Sequence, residues 1–243
     1  MVYRYALTRE NQEDLASGGV LYSAPGFPAF PVRLASEMFQ RALALREGRP
    51  AMVWDPCCGS GYLLTVLAFL HRPQITRVLG TDLDPAALQL TRQNLGLLSG
   101  DGLAARSAEL QERAERWDKP SYAAAAQAAR RLARRLATQD GDVPHAADQA
   151  DVFDPDQLRR ALDGRRPGLV ITDVPYGEQT AWRGPHGTAG IAGMLRALET
   201  VLADDAVIAV AVRGRKVPLD DGPRPSASFK IGTRAVALFG PRT

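Results

Sequence analysis

Short runs of Val, Ile, Leu and Ala recur along the chain, separated by longer segments with apolar positions three and four residues apart. That alternation predicts a mostly parallel sheet with helices on both faces. Strands are expected over Ala51–Trp54, Arg77–Thr81, Ala146–Ala150, Leu169–Thr172, Val207–Val212 and Ala235–Phe239. Helices are expected over Pro31–Glu47, Gly61–His71, Ala86–Leu97, Gln157–Leu162 and Ile191–Leu202. Only a polar, Pro/Gly-rich loop separates the last two strands, so they should pair antiparallel, as in a hairpin, rather than through another crossover. The expected fold class is doubly wound α/β, in one domain spanning 1–243.

The spacing breaks once. From Asp101 to His145 a short connection is replaced by about forty residues rich in Ala, Arg, Glu and Gln, which read as one or two added helices. Within this helical insertion, 101–145, Lys119 to Leu136 carries Arg130, Arg131, Arg134 and Arg135 and no acid. Arg130/Arg134 and Arg131/Arg135 fall one helical turn apart and make a basic face. It is either a solvated helix surface or an RNA-binding surface that contacts phosphates. Arg213, Arg215 and Lys216 after the fifth strand leave the same two readings open.

Composition narrows the class. The chain has 243 residues, 45% apolar and 23% charged, with a net charge of +3. That is ordinary for a globular domain, and too mild a charge to prove a nucleic-acid partner. No stretch approaches the roughly 20 apolar residues of a membrane helix, and the start lacks a signal-peptide centre, so a cytoplasmic location and no membrane partner are expected. Cys57 and Cys58 are adjacent and the 3 His are scattered, so no metal site is expected.

Three motifs carry chemistry. In Val53-Trp54-Asp55-Pro56-Cys57-Cys58-Gly59-Ser60-Gly61 a strand turns through glycines into a helix, letting the backbone and free N–H groups approach a ligand. Asp82 ends the next strand 21 residues after Gly61, where a carboxylate can accept ribose hydroxyls. Asp84 before Pro85, and Asp154 before Pro155, read as helix caps. Leu64 stands where a phosphate-binding loop would have its third glycine, and Asp55 would repel a pyrophosphate, so a cationic ligand suits the loop better. The run Leu169-Val170-Ile171-Thr172-Asp173-Val174-Pro175-Tyr176-Gly177 closes a buried strand on an acid, a proline turn and an aromatic. It resembles the Asn/Asp/Ser-Pro-Pro-Tyr/Phe motif of methyltransferases that modify ring-conjugated nitrogens, which implies a carboxylate that accepts the proton of a poor nucleophile and an aromatic that stacks on an extruded base.

These motifs resemble the class I S-adenosylmethionine-dependent methyltransferases that act on nucleic-acid bases. The Asp-Pro-x-Cys-Gly-Ser-Gly run is matched by Asp55, Pro56, Cys58, Gly59, Ser60 and Gly61, and Asp-Val-Pro-Tyr is similar to the turn of relatives that methylate guanine in RNA. The resemblance implies a seven-stranded Rossmann-like sheet with S-adenosyl-L-methionine as cofactor. Asp55 would lie by its amino-acid end, Cys58, Gly59, Ser60 and Gly61 would line it, Asp82 would bind its ribose and Asp151 its adenine amino group. Arg33 would either pair with its carboxylate or be a surface charge. Asp173, Pro175 and Tyr176 would form the catalytic turn. The sequence as a whole resembles ribosomal RNA guanine methyltransferases that confer resistance to a ribosome-targeting antibiotic. That likeness implies a guanine of large-subunit (23S) ribosomal RNA, with N1 favoured and N2 possible; a monomer is expected. Related Pro-Tyr turns keep adenine-N6 and protein-glutamine methylation as alternatives, and the glycine-and-acid logic is shared with nicotinamide-dependent oxidoreductases.

Overall fold

The structure is a computed structural model that describes residues 3–7, 11–174, 182, 187–219 and 222–241. Its elements run α1 (Glu13–Ala16), α2 (Val32–Ala44), β1 (Ala51–Asp55), α3 (Tyr62–Leu70), β2 (Ile75–Asp82), α4 (Pro85–Gly96), α5 (Gly100–Trp117) and α6 (Pro120–Ala137). They continue with β3 (His145–Gln149), α7 (Pro155–Leu162), β4 (Leu169–Asp173), α8 (Gly190–Glu199), β5 (Val207–Arg213), β6 (Ala227–Ile231) and β7 (Arg234–Phe239).

One sheet has the order β3-β2-β1-β4-β5-β7-β6. β3 through β5 are mutually parallel, and β7 is inserted antiparallel between β5 and β6. Successive side chains on a strand point to opposite faces, so the continuous apolar runs of the central strands serve two cores at once. Val53, Leu169, Ile171 and Ala209 pack with α2, α3, α4 and the insertion helices. Trp54, Val170, Ile208 and Val210 pack with α7 and α8 on the other face. Trp54, fully buried, donates its indole N–H to Thr81 Oγ1 at 3.0 Å, which satisfies the one polar atom it brings inside.

The expected strands and helices are present with ends moved by a few residues. β5 and β7 pair antiparallel as expected, but the polar loop between them contains a further strand, β6, which pairs with the other side of β7. This edge strand buries Phe229 while Ala227, Ser228 and Lys230 stay exposed, so it offers no continuous apolar run to read.

The insertion is two antiparallel helices. Ser99 caps α5, accepting from the Gly102 amide, and Leu103, Ala128, Ala129, Leu132 and Leu136 join the first core. Arg106, buried, ties the pair to the amino-terminal segment: its Nε donates to the Val20 carbonyl at 2.8 Å and its guanidinium lies 4.0 Å from the centre of the Tyr22 ring. Strand order reverses between β1 and β4, and the crevice beyond their carboxyl ends is where a doubly wound sheet takes its ligand.

Candidate active site

The β1–α3 loop folds as its glycines require. Gly59 and Gly61 have φ of 53° and 71°, and a Cβ on Gly61 would lie 2.9 Å from Thr91 Cγ2. Only glycine combines that conformation with that approach to α4. The Cys58 amide donates to the Thr81 carbonyl at 3.0 Å, and Thr91 Oγ1 donates to the Gly59 carbonyl at 2.6 Å. Asn94, fully buried, donates from Nδ2 to the Ser60 and Tyr22 carbonyls and accepts the Tyr22 amide at Oδ1. Thr91 and Asn94 therefore clamp the loop from one face of α4. Sequence reading missed both, although two polar residues three apart on the buried side of an amphipathic helix were the available signal.

Three carboxyl groups end neighbouring strands at this crevice. Asp55, 2% exposed, accepts the Cys57 amide at 3.1 Å. Burial pushes its pKa up to about 7, with the charges of Asp82 and Asp173 adding to the rise and the Thr172 hydroxyl and Cys57 amide opposing it. Asp82 accepts the Gly59 amide at 2.8 Å and the Asp84 amide at 3.0 Å, one on each oxygen, so it links the β1–α3 and β2–α4 loops. Burial raises its pKa, and those two amides pull it back. Asp173 is raised by burial to about 6, against the charges of Arg234 and Arg213. Acids held this far up are acids waiting for a cation, and the positive sulfonium and ammonium groups of S-adenosylmethionine would relieve them. The residues present fit that cofactor.

Asp151 is buried after β3 and accepts the Phe153 amide at 2.9 Å, while the neighbouring Ala150 amide donates to the Asp82 carbonyl. It thus stands on the Asp82 side of the crevice. Asp84 and Asp154 cap α4 and α7 as expected. The thiols of Cys57 and Cys58 are pushed well up by burial and the nearby acids, so both are poor nucleophiles, in line with packed small residues. Phe27, from the Pro-rich loop before α2, lies beside Gly59, 3.5 Å from where a Cβ would sit.

The structure gives Arg33 other work than a cofactor carboxylate. Its guanidinium donates to the Ala6 and Leu7 carbonyls and covers the Tyr3 ring at 3.8 Å, while Glu37 accepts the amides of Arg4, Tyr5 and Ala6. Arg33 and Glu37 together strap the amino-terminal segment to α2. The basic face of α6 is also partly engaged within the chain. Arg131 makes a two-bond ion pair with Asp14, Arg130 donates to Ser107 Oγ, and Arg135 is near enough to His71 to help burial lower its pKa to about 4. Arg134 is exposed. Arg213, open to either an RNA phosphate or plain solvation by sequence, ends β5 with Arg234 as its cross-strand partner, close to Asp173. Pro175 and Tyr176 lie outside the described residues.

A reversal-point crevice with a glycine loop, an acid ending each of β1, β2 and β4, and an antiparallel seventh strand defines a class I S-adenosylmethionine-dependent methyltransferase. The model of the rRNA methyltransferase AviRa family matches residues 1–234, and the chain belongs to that family. It is 53% identical over 237 residues, 97% of this chain and 94% of the relative, to a 23S rRNA (guanine(2535)-N(1))-methyltransferase of Streptomyces viridochromogenes. Two solved structures of the rRNA methyltransferase AviRa from that organism superpose with a TM-score of 0.91. They are 50% and 52% identical, covering 99% of this chain and 96% of theirs.

Proposed function

We propose that this chain methylates N1 of a guanine in 23S ribosomal RNA, using S-adenosylmethionine, as a monomer in the cytoplasm, and that the mark protects the ribosome from an antibiotic. The carrying observation is that Asp173, at the end of β4, shares one crevice with the cofactor acids Asp55 and Asp82. The cofactor supplies an already activated methyl group, so the chain's own work is alignment and handling of the guanine proton. Asp173 accepts the N1–H, which concentrates the nitrogen lone pair as the methyl arrives. Tyr176 stacks on the extruded base and Pro175 sets its turn, in the roles their motif implies. Asp55 faces the cofactor's cationic end, Asp82 its ribose and Asp151 its adenine. On the insertion, exposed Arg134 supplies a phosphate contact, and Arg130, Arg131 and Arg135 join it where phosphate displaces their partners within the chain.

The test is incubation of the protein with 23S ribosomal RNA and tritium-labelled cofactor, followed by mass mapping of RNA fragments. Label at a guanine N1 is expected, and label at N2, on adenine or on protein would replace this reading. Asp173→Ala should leave cofactor affinity within a few-fold and abolish transfer; robust transfer by that variant removes its assigned role.

A further inference from the structure

We propose that Arg234 is a positioning residue for methyl transfer, holding one carboxylate oxygen of Asp173 so that the other meets the guanine N1–H as an ionised acceptor. The inference rests on the reading of Asp173 given above, and on geometry that no motif contains.

Arg234 opens β7 at the same sheet edge and is 8% exposed. Its Nη1 donates to Asp173 Oδ1, and its guanidinium stacks 4.6 Å from the centre of the buried Phe30 ring, just before α2. Asp173 Oδ2 has no hydrogen bond among the described residues, and the side chain keeps 26% of its surface exposed, so they leave that oxygen unclaimed. Arg213 is the cross-strand partner of Arg234. Two like charges directly opposite each other are unfavourable in a sheet, and here one carboxylate on the next strand answers both.

The charged groups facing Asp173 among the described residues are Arg234 from β7, Arg213 from β5 and Asp55 from β1. Burial and Asp55 oppose ionisation of this carboxyl, and the two arginines oppose burial. The reaction needs the ionised form: the N1–H proton passes to Asp173, the freed electron pair takes the methyl carbon, and the pair of the broken carbon–sulfur bond stays on sulfur. A neutral Asp173 has no place for that proton. Arg234 supplies both the charge that keeps the carboxylate available near neutral pH and the grip that fixes which oxygen is presented.

The test compares kcat/KM on 23S ribosomal RNA from about pH 6 to about pH 9 for the full chain, Arg234→Gln and Arg234→Lys, with cofactor affinity by calorimetry and folding by circular dichroism. Arg234→Gln should bind cofactor within a few-fold, lose at least about tenfold at about pH 7, and recover toward about pH 9 as its acid limb moves up. Arg234→Lys should keep the limb within about half a pH unit and lose several-fold in kcat, because the charge remains and the fork does not. A Gln variant whose loss is the same at every pH overturns the proposal. So does a Lys variant with wild-type kcat throughout, or with none, which keeps the question answerable if the Gln variant does not fold. Activity of Asp173→Ala would remove the underlying reading. An inactive Asp173→Ala beside an unmoved Arg234→Gln profile would remove this inference alone.

Discussion

Asp55→Asn should stabilise the cofactor-free protein while crippling it. The Asp55 carboxyl is buried at the end of β1, and its pKa rises from the usual 3.8 to about 7, mainly through lost hydration. Below about pH 4 the group is neutral in folded and unfolded chains alike and costs nothing. Between about pH 4 and about pH 7 the unfolded chain ionises while the folded one resists, so folding stability drains away as pH rises. At about 1.4 kcal/mol per pH unit the full loss is roughly 4 kcal/mol, complete by about pH 8. Asparagine does not titrate, has the same shape, and can still accept the Cys57 amide. Urea unfolding at about pH 4.5 and about pH 8 should therefore show Asp55→Asn gaining on the wild type by roughly 3 kcal/mol more at the higher pH. Saturating S-adenosylmethionine should reverse the ranking, because the wild-type carboxylate gains a cation and the amide does not. A gain equal at both pH values would refute the argument that a strained ionisation underlies the site.

The same acids make cofactor affinity rise from about pH 6 to about pH 8, with proton release below about pH 7 that calorimetry in buffers of different ionisation enthalpy would register. Gly61→Ala should cost roughly 1–3 kcal/mol through its positive φ and the Thr91 contact, and weaken cofactor binding by more than about tenfold; near-wild-type melting and affinity would show the loop tolerates a Cβ. Asn94→Ala removes three hydrogen bonds, two to the Tyr22 backbone and one to the Ser60 carbonyl of the loop, and should cost roughly 2–4 kcal/mol in denaturant titration. Replacing Arg130, Arg131, Arg134 and Arg135 by Glu should weaken RNA binding and flatten its salt dependence; unchanged affinity would assign that helix face, with its Asp14 ion pair, to structure alone.

Where the chemistry is local, the sequence was sufficient. Glycine is needed at Gly61 because of backbone conformation, Asp84 and Asp154 cap because proline follows them, and the apolar runs of β1, β4 and β5 announce strands buried on both faces. Each of these rests on residues within a few positions of one another. Asp55, Asp82 and Asp173 were legible as well, because strand ends in a parallel sheet converge on one edge whatever the intervening length.

What only the tertiary structure decided is who neutralises whom. Arg33 looked available to the cofactor until the amino-terminal carbonyls claimed it, and Arg131 looked available to RNA until Asp14 did. Nothing near Asp173 in the chain announces Arg234, 61 residues away, because an ion pair is chosen by distance in space and by the cost of burying either charge alone. β6 escaped for a related reason: an edge strand is defined by its neighbour's unpaired backbone groups, which the neighbour's position reveals and the strand's own residues do not.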